Sequence, residues 1–479
     1  MRKFIGRREE LRFLNERYAS EHGELVVLYG RRRIGKTELL LEFCKNRPHM
    51  FYVCEECTNL KQLNGISKAI GETVGGNIGK SLSLYDWASV FSFVTEIPAG
   101  DGGKRLMVID EFPLAVKNNK GMMSQLQNLW DHSLKDRNVM IVLCGSSMSF
   151  IENEILGDKN PIYGRTTGIM KLGQLSFEDS WGFFPKKDAR EMSMIYSVLG
   201  GVPHYLSQFD PDASLKENVV RRILTKGSPL YSEVEFLLRQ ELREVSTYNT
   251  IISAVALGNT KLNNIHTKTG VESPKVATYL LNLMDIGIIV KEFPLDVSGG
   301  KTSGMYNGLY RISDNFFRFW YLFIFPNRTE LEKGRQEDIY ELDVEPSLKM
   351  CALHTFEDIC MEYLRRCNSQ GKLPFRFLRI GRWWSKTSEI DILAVDKGER
   401  NCIVGECKYK ESKVGLKEYR ELLAKRPPYR DARMFLYLFS KSGFDEDVID
   451  LSKNDGVSLI SLQDMFSRAN GDCHFQPVE

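Results

Sequence analysis

The chain has no long apolar run. Its most hydrophobic stretch spans only Phe316 to Phe325 and is broken by Arg318. A bilayer-crossing helix needs roughly 20 apolar residues, and no apolar run of signal-peptide length follows Met1, so a soluble, cytoplasmic protein without membrane contact is expected. A cysteine framework is missing as well. Ten cysteines are scattered over 479 residues, and the close pair Cys54 and Cys57 lacks two further ligands at matching spacing, which leaves reduced core thiols rather than a disulfide scaffold or a zinc ribbon. Excess charge of one sign is also lacking. With 65 Lys and Arg against 63 Asp and Glu, the formal net charge is +2, so any nucleic-acid contact must come from local patches.

What the chain does contain is length for two to four domains and one stretch that organises the rest. Gly30, Arg31, Arg32, Arg33, Ile34, Gly35, Lys36 and Thr37 follow the apolar run Leu25 to Tyr29 and precede Glu38 to Glu42. The pattern GxxxxGK[ST] thus falls where a buried strand turns into a helix, the context in which it means phosphate binding. Two glycines let backbone N–H groups turn inward around an anion, and the helix start adds its positive end. Lys36 would reach the terminal phosphates and Thr37 would hold Mg²⁺.

Met50 to Val53 reads as a second strand and Asn59 to Val74 as a helix ended by Gly75-Gly76. The run Arg105 to Ile109 then ends in Asp110 and Glu111, a buried strand that delivers carboxylates to the ligand-binding edge of an open α/β sheet. Asp110 would complete the Mg²⁺ shell and Glu111 would polarise the attacking water. Val139 to Gly145 is another buried strand, and Ser146 or Ser147 at its tip is either a γ-phosphate sensor or an ordinary turn. Arg165 is either an arginine finger or sensor, or an ordinary exposed cation. Gly200-Gly201-Val202-Pro203 breaks a helical region that reads as a lid over residues 181–240.

As a set, Phe4-x-Gly-Arg7, the loop at 30–37, Ile109-Asp110-Glu111, Gly145-Ser146-Ser147, Tyr163-Gly164-Arg165 and Gly200-Gly201-x-Pro203 resemble the archaeal-type ATPases of the AAA+ and STAND branch of P-loop NTPases. The resemblance covers residues 1–235. It implies that ATP is the nucleotide, with Mg²⁺, that residues 30–38 contact it, that Lys36, Thr37, Asp110 and Glu111 bind and hydrolyse it, and that Pro203 lies near the adenine.

Residues 241–325 read as three short helices and a hairpin, with Ser273 as N-cap before Pro274 and a Gly- and Ser-rich wing at Ser298 to Gly304. This is the winged helix-turn-helix plan. Lys268, Ser273, Lys275 and Thr278 are its candidate DNA contacts; the alternative use of the module is a rigid lever. The aromatic run Phe316 to Phe323 either glues this module to the next or stacks on bases; it and its sequel resemble the domain of unknown function that trails archaeal-type ATPases.

The last segment, 326–479, holds a second constellation. Glu357 rides a helix over Cys351 to Leu364, and two apolar strands, Glu389 to Asp396 and Cys402 to Lys408, form a hairpin. Alternation puts Glu406 and Lys408 on one face, and Asp391 on the partner strand can lie beside Glu406. Two such carboxylates repel unless a divalent cation sits between them; Mg²⁺, a hard cation that keeps several waters, suits the place. Asp391 followed by Glu406-x-Lys408, with Glu357 upstream, resembles the PD-(D/E)xK nuclease superfamily over residues 345–470, with Ile390 where the usual pattern has Pro. The resemblance implies a restriction-endonuclease-like α/β domain in which Asp391 and Glu406 hold the metal and Glu357 and Lys408 complete the site. A salt-bridged hairpin in a degenerate binding domain is the other reading. The expected whole is an α/β protein: a P-loop ATPase (1–180), lid, winged helix and nuclease-like domain that process DNA, as a single chain or as a homo-oligomer. The alternative is a nucleotide-switched scaffold whose last domain binds a partner without cutting.

Overall fold

The computed structural model describes residues 4–75, 82–119, 121–158, 160–295, 308–429 and 431–466. They divide into two compact units, Met1–Leu175 with Val202–His204, and Ser176–Gly201 with Tyr205–Glu479.

The first unit is built on β1 (Glu24–Tyr29), β2 (His49–Val53), β3 (Arg105–Asp110), β4 (Val139–Gly145) and β5 (Gly168–Lys171). They form one parallel sheet in the order β2-β3-β4-β1-β5. Every residue of β1 and of β4 is buried, as expected of a parallel sheet covered on both faces, and this is why both strands read as unbroken apolar runs. The expected helix over 59–74 forms as Asn59–Val74, capped by the Thr58 side chain.

In the second unit, helix Ala189–Leu199 carries a full capping box between Asp188 and Glu191. Helices Val245–Ala256, Leu262–Thr269 and Ser273–Asp285 precede an antiparallel pair, β6 (Ile289–Glu292) and β7 (Leu309–Ile312). Ser273 is not the N-cap: Glu272 takes that position without a side-chain bond, and Ser273 and Pro274 form the first turn. The expected wing at Ser298 to Gly304 lies outside the described residues. The aromatic run coils as a helix, Asn315–Phe319, and a wider turn, Trp320–Ile324. Its rings are buried, which removes the base-stacking reading. Trp320 Nε1 donates to the Tyr231 carbonyl, the Tyr321 hydroxyl donates to Asn249, and buried Arg318 donates to the Cys351 carbonyl and Thr355. The run thus ties three separate segments of this unit together.

A second sheet follows helix Glu345–Ser369: β8 (Arg379–Trp384), β9 (Glu389–Val395), β10 (Asn401–Lys408), β11 (Arg433–Ser440) and β12 (Ser458–Ser461), in the order β12-β11-β10-β9-β8. The first three strands pair antiparallel and the last two join in parallel through helices Leu416–Ala424 and Glu446–Asp455.

Glu362 on helix Glu345–Ser369 accepts the Phe177 amide at 3.0 and 3.3 Å and so caps a short helix distant in sequence. Burial pushes its carboxyl up to about 7, against the pull of that amide and of Arg366. A carboxyl raised above its unfolded value stabilises the fold at low pH, and this contribution is lost as pH rises through about 7. Glu362→Gln keeps the acceptor and removes the charge. Denaturant titrations should show it more stable than wild type at pH 8 by roughly 1–3 kcal/mol, with the difference gone only below about pH 4, under the unfolded carboxyl's own value.

Candidate nucleotide and carboxylate sites

The loop after β1 is wound tight by left-handed backbone at Arg33 (φ 70°) and Gly35 (φ 88°). At Gly30 the fold leaves no room for a side chain, because a Cβ there would stand 2.5 Å from the Leu172 carbonyl oxygen. Helix Lys36–Cys44 starts directly from this loop. Lys36 is buried, and its ammonium donates to the Gly30 and Arg31 carbonyls at 2.9 and 3.1 Å. Thr37 Oγ1 donates to Asp110 Oδ2 at 2.6 Å, so the two residues expected to share a magnesium ion already meet. Glu111 sits in left-handed backbone (φ 50°) at the start of helix Phe112–Asn118, and its carboxylate accepts from the Ser146 hydroxyl at 2.8 Å. Three neighbouring strands thus present Lys36, Asp110, Glu111 and Ser146 at one carboxyl edge. Arg31 and Ile34 are buried, Arg32 is half-buried, and Arg33 and Glu38 are exposed.

Pro203 belongs to this unit, and its ring lies 3.5 Å from where a Cβ of Gly35 would be. Burial, with Arg33 adding repulsion, lowers the neighbouring His204 to about 4, so its imidazole is neutral at pH 7. Arg165 is placed elsewhere. It precedes β5 and pairs bidentately with Asp131 at 2.8 to 3.0 Å. Thr167, two residues on, donates its amide to the Leu25 carbonyl at the start of β1. Arg165 therefore stands at the amino edge of the sheet, a strand's length from the loop, and does not join the phosphate site of its own chain.

One residue escaped the sequence reading of the loop. Arg7 is 4% exposed, and its guanidinium donates to the carbonyls of Ile34 and Gly173 at 3.0 and 2.7 Å while pairing with Glu10. It clamps the loop from outside. Gly6 and Arg7 are consecutive residues at positive φ, but nothing in the local sequence reports their long-range partners.

In the second unit, β9 and β10 pair with Gly405 opposite Ile392, which sets Asp391 beside Glu406 one step further on. Asp391 Oδ2 accepts the Cys407 amide at 2.8 Å, and Lys408 donates to Glu406 Oε1 at 2.8 Å. Burial, then the charges of Glu406 and Glu357, raise the Asp391 carboxyl to about 7. Glu406 Oε2 is buried and is ion-paired with the Lys425 ammonium at 3.1 Å. Two adjacent carboxylates, one of them faced at both oxygens by lysine ammoniums, are a donor set that a hard divalent cation bringing its own waters fits once an ammonium gives way. Among the described residues no group of three or more Asp, Glu, His or Cys forms a ready metal cage.

Glu357 is close enough to act on Asp391 but is not free to join it. Its carboxylate accepts from Arg382 Nε at 2.6 Å, and the same guanidinium binds Asp358 and Glu292 at 2.9 and 2.8 Å. The expectation that Glu357 completes the site therefore meets a stronger local demand: buried Arg382 needs its carboxylates.

A glycine-wound loop at the carboxyl edge of a parallel sheet, with Lys, Thr, Asp and Glu converging on it, defines a P-loop nucleotide-binding fold. Residues 4–209 match the family model described as an ATPase domain predominantly from Archaea, and residues 320–420 match one described as Archaea bacterial proteins of unknown function. An uncharacterized protein of Methanocaldococcus jannaschii is 32% identical over 472 residues, 98% of each chain. The chain belongs to that protein's family, an archaeal-type P-loop ATPase domain followed by the second domain. Among solved structures, it is similar to a Walker-type ATPase of Pyrococcus abyssi (TM-score 0.49, 22% identity, 66% of this chain and 96% of that one). It is also similar to the ORC2 protein of Aeropyrum pernix in ADPNP–ADP complexes (TM-score 0.40, 13% identity, 69% and 96%). Among the described residues, no helix is long and apolar enough to cross a membrane.

Removing the Arg7 guanidinium leaves the Ile34 carbonyl of the loop and the Gly173 carbonyl after β5 without their donor, at a cost of about 1–3 kcal/mol. Calorimetry on Arg7→Ala should show ATP affinity reduced about tenfold, with Lys36 and Thr37 untouched.

Proposed function

We propose that the first unit binds and hydrolyses ATP with Mg²⁺ and that this cycle governs a Mg²⁺-dependent, nuclease-like site acting on DNA in the second. The observation that carries the first half is the convergence of Lys36, Thr37, Asp110 and Glu111 at one sheet edge. In this reading Lys36 exchanges its loop carbonyls for the terminal phosphates, an anion that the inward-facing amides and the helix start also favour. Thr37 and Asp110 hold the magnesium ion, which offsets phosphate charge. Glu111 leaves Ser146 to orient the attacking water, and Ser146 is then free to meet the γ-phosphate. Pro203 and neutral His204 flank the loop on the side assigned to the base.

For the second half, support comes from the Asp391–Glu406 pair with Lys408 beside it, on a five-stranded sheet with two antiparallel and two parallel pairings. A magnesium ion bound there would supply a polarised water and charge compensation for a scissile phosphate; Asp391 and Glu406 would hold it and Lys408 would face the phosphate. The helices over 245–285 and the pair β6–β7 serve as the winged helix that conveys or recognises. Lys268, Lys275 and Thr278 are exposed, but Lys275 is paired with Glu272 at 3.2 Å. The engagement of Glu357 by Arg382 favours the second reading, a nucleotide-switched scaffold whose last domain binds without cutting.

Lys36→Ala should abolish ATP binding and turnover by calorimetry and phosphate release. Asp391→Asn should abolish Mg²⁺-dependent cleavage of DNA while ATP turnover persists. If the wild-type chain cuts no DNA across Mg²⁺ and Mn²⁺, with and without ATP, the nuclease reading is lost and the scaffold reading stands.

A further inference from the structure

The carboxylate site contains a cation that the sequence pattern does not include. Lys425 follows helix Leu416–Ala424 in extended backbone (φ −61°, ψ 139°). Its ammonium lies 3.1 Å from Glu406 Oε2 and donates to the main-chain carbonyl of Glu389. One side chain therefore bridges the strand that bears Asp391 and the strand that bears Glu406. Lys408 occupies the other oxygen of Glu406. With both carboxylates ionised, two negative and two positive charges cancel, and the site is neutral without a metal.

We infer that Lys425 is a built-in counter-cation of this site, standing on the face of Glu406 that a divalent ion would take, and that metal entry requires its ammonium to withdraw. The inference rests on reading Asp391 and Glu406 as a divalent-cation site. A metal bonded to Glu406 Oε2 at roughly 2 Å and an ammonium at hydrogen-bonding range of the same oxygen would repel at close quarters in a poorly solvated place. The buried Glu406 stays and Lys425 leaves, because Glu406 is 8% exposed and Lys425 is 20%. The backbone after it is restricted, since Arg426 precedes Pro427-Pro428. Withdrawal is thus a rotation of the flexible four-carbon stem and needs no movement of the chain. Lys408 is the poorer candidate to leave, being fixed on β10 itself and drawn also toward Glu421 at 3.8 Å.

The test is calorimetric titration of the full chain with Mn²⁺ in the absence of nucleotide. Asp391→Asn in each background identifies the heat that belongs to this site. Lys425→Met keeps the apolar stem and removes the charge, and should bind Mn²⁺ at least about tenfold more tightly at this site. Lys425→Arg, which keeps the charge, should stay within about threefold of wild type. If Lys425→Met binds Mn²⁺ no more tightly than wild type while Asp391→Asn still removes the site, the counter-cation role is overturned and the metal site stands. If Asp391→Asn changes nothing in either background, the metal-site reading itself fails and the inference goes with it.

Discussion

Lys36 has its ammonium folded onto the carbonyls of its own loop, and the first unit is arranged around keeping it there. The loop reaches this shape only because Gly35 and Arg33 accept left-handed backbone and Gly30 lets the end of β5 approach. Arg33 has a Cβ and still adopts φ 70°, a conformation that costs a non-glycine residue of order 1 kcal/mol. Arg7 answers that cost from outside by binding the Ile34 carbonyl, and the Thr37–Asp110 hydrogen bond fixes the next turn. A buried ammonium satisfied by carbonyls is a reversible placeholder: phosphate oxygens offer the same geometry with full negative charge.

The second unit has the same logic with the signs reversed. Antiparallel register brings Asp391 and Glu406 together in a buried place, and the fold must offset two like charges. Lys408 and Lys425 do so at Glu406, while Asp391 is left with the Cys407 amide and a raised affinity for a proton. Arg382 gathers Glu292, Glu357 and Asp358 into a separate network, to which Arg311 is joined. That network ties β6 and β7 to helix Glu345–Ser369 and β8, so the hairpin of the middle segment is fastened to the domain that carries the carboxylate site.

The aromatic run at 316–323 shows why composition alone misleads. Its residues suit stacking on bases or burial equally well, and the difference lies in partners more than 30 residues away: Tyr231, Asn249, Cys351 and Thr355. Arg165 carries the same lesson. A lone arginine after a glycine has no address until strand register places it at the amino edge beside Asp131.

By itself the sequence determined what depends on neighbours along the chain. The strand-loop-helix at 24–44, the acidic end of β3 at Asp110 and Glu111, the hairpin with Asp391 facing Glu406, and the run of helices before β6 were all legible, because side-chain period and glycine chemistry are local. Tertiary structure alone decided which charges meet. Arg7 on the loop carbonyls, Arg382 on Glu357, Lys425 on Glu406 and Glu362 over the Phe177 amide are set by elements that pack together from distant parts of the chain. No local pattern encodes them, since a buried charge takes whichever partner packing brings within reach.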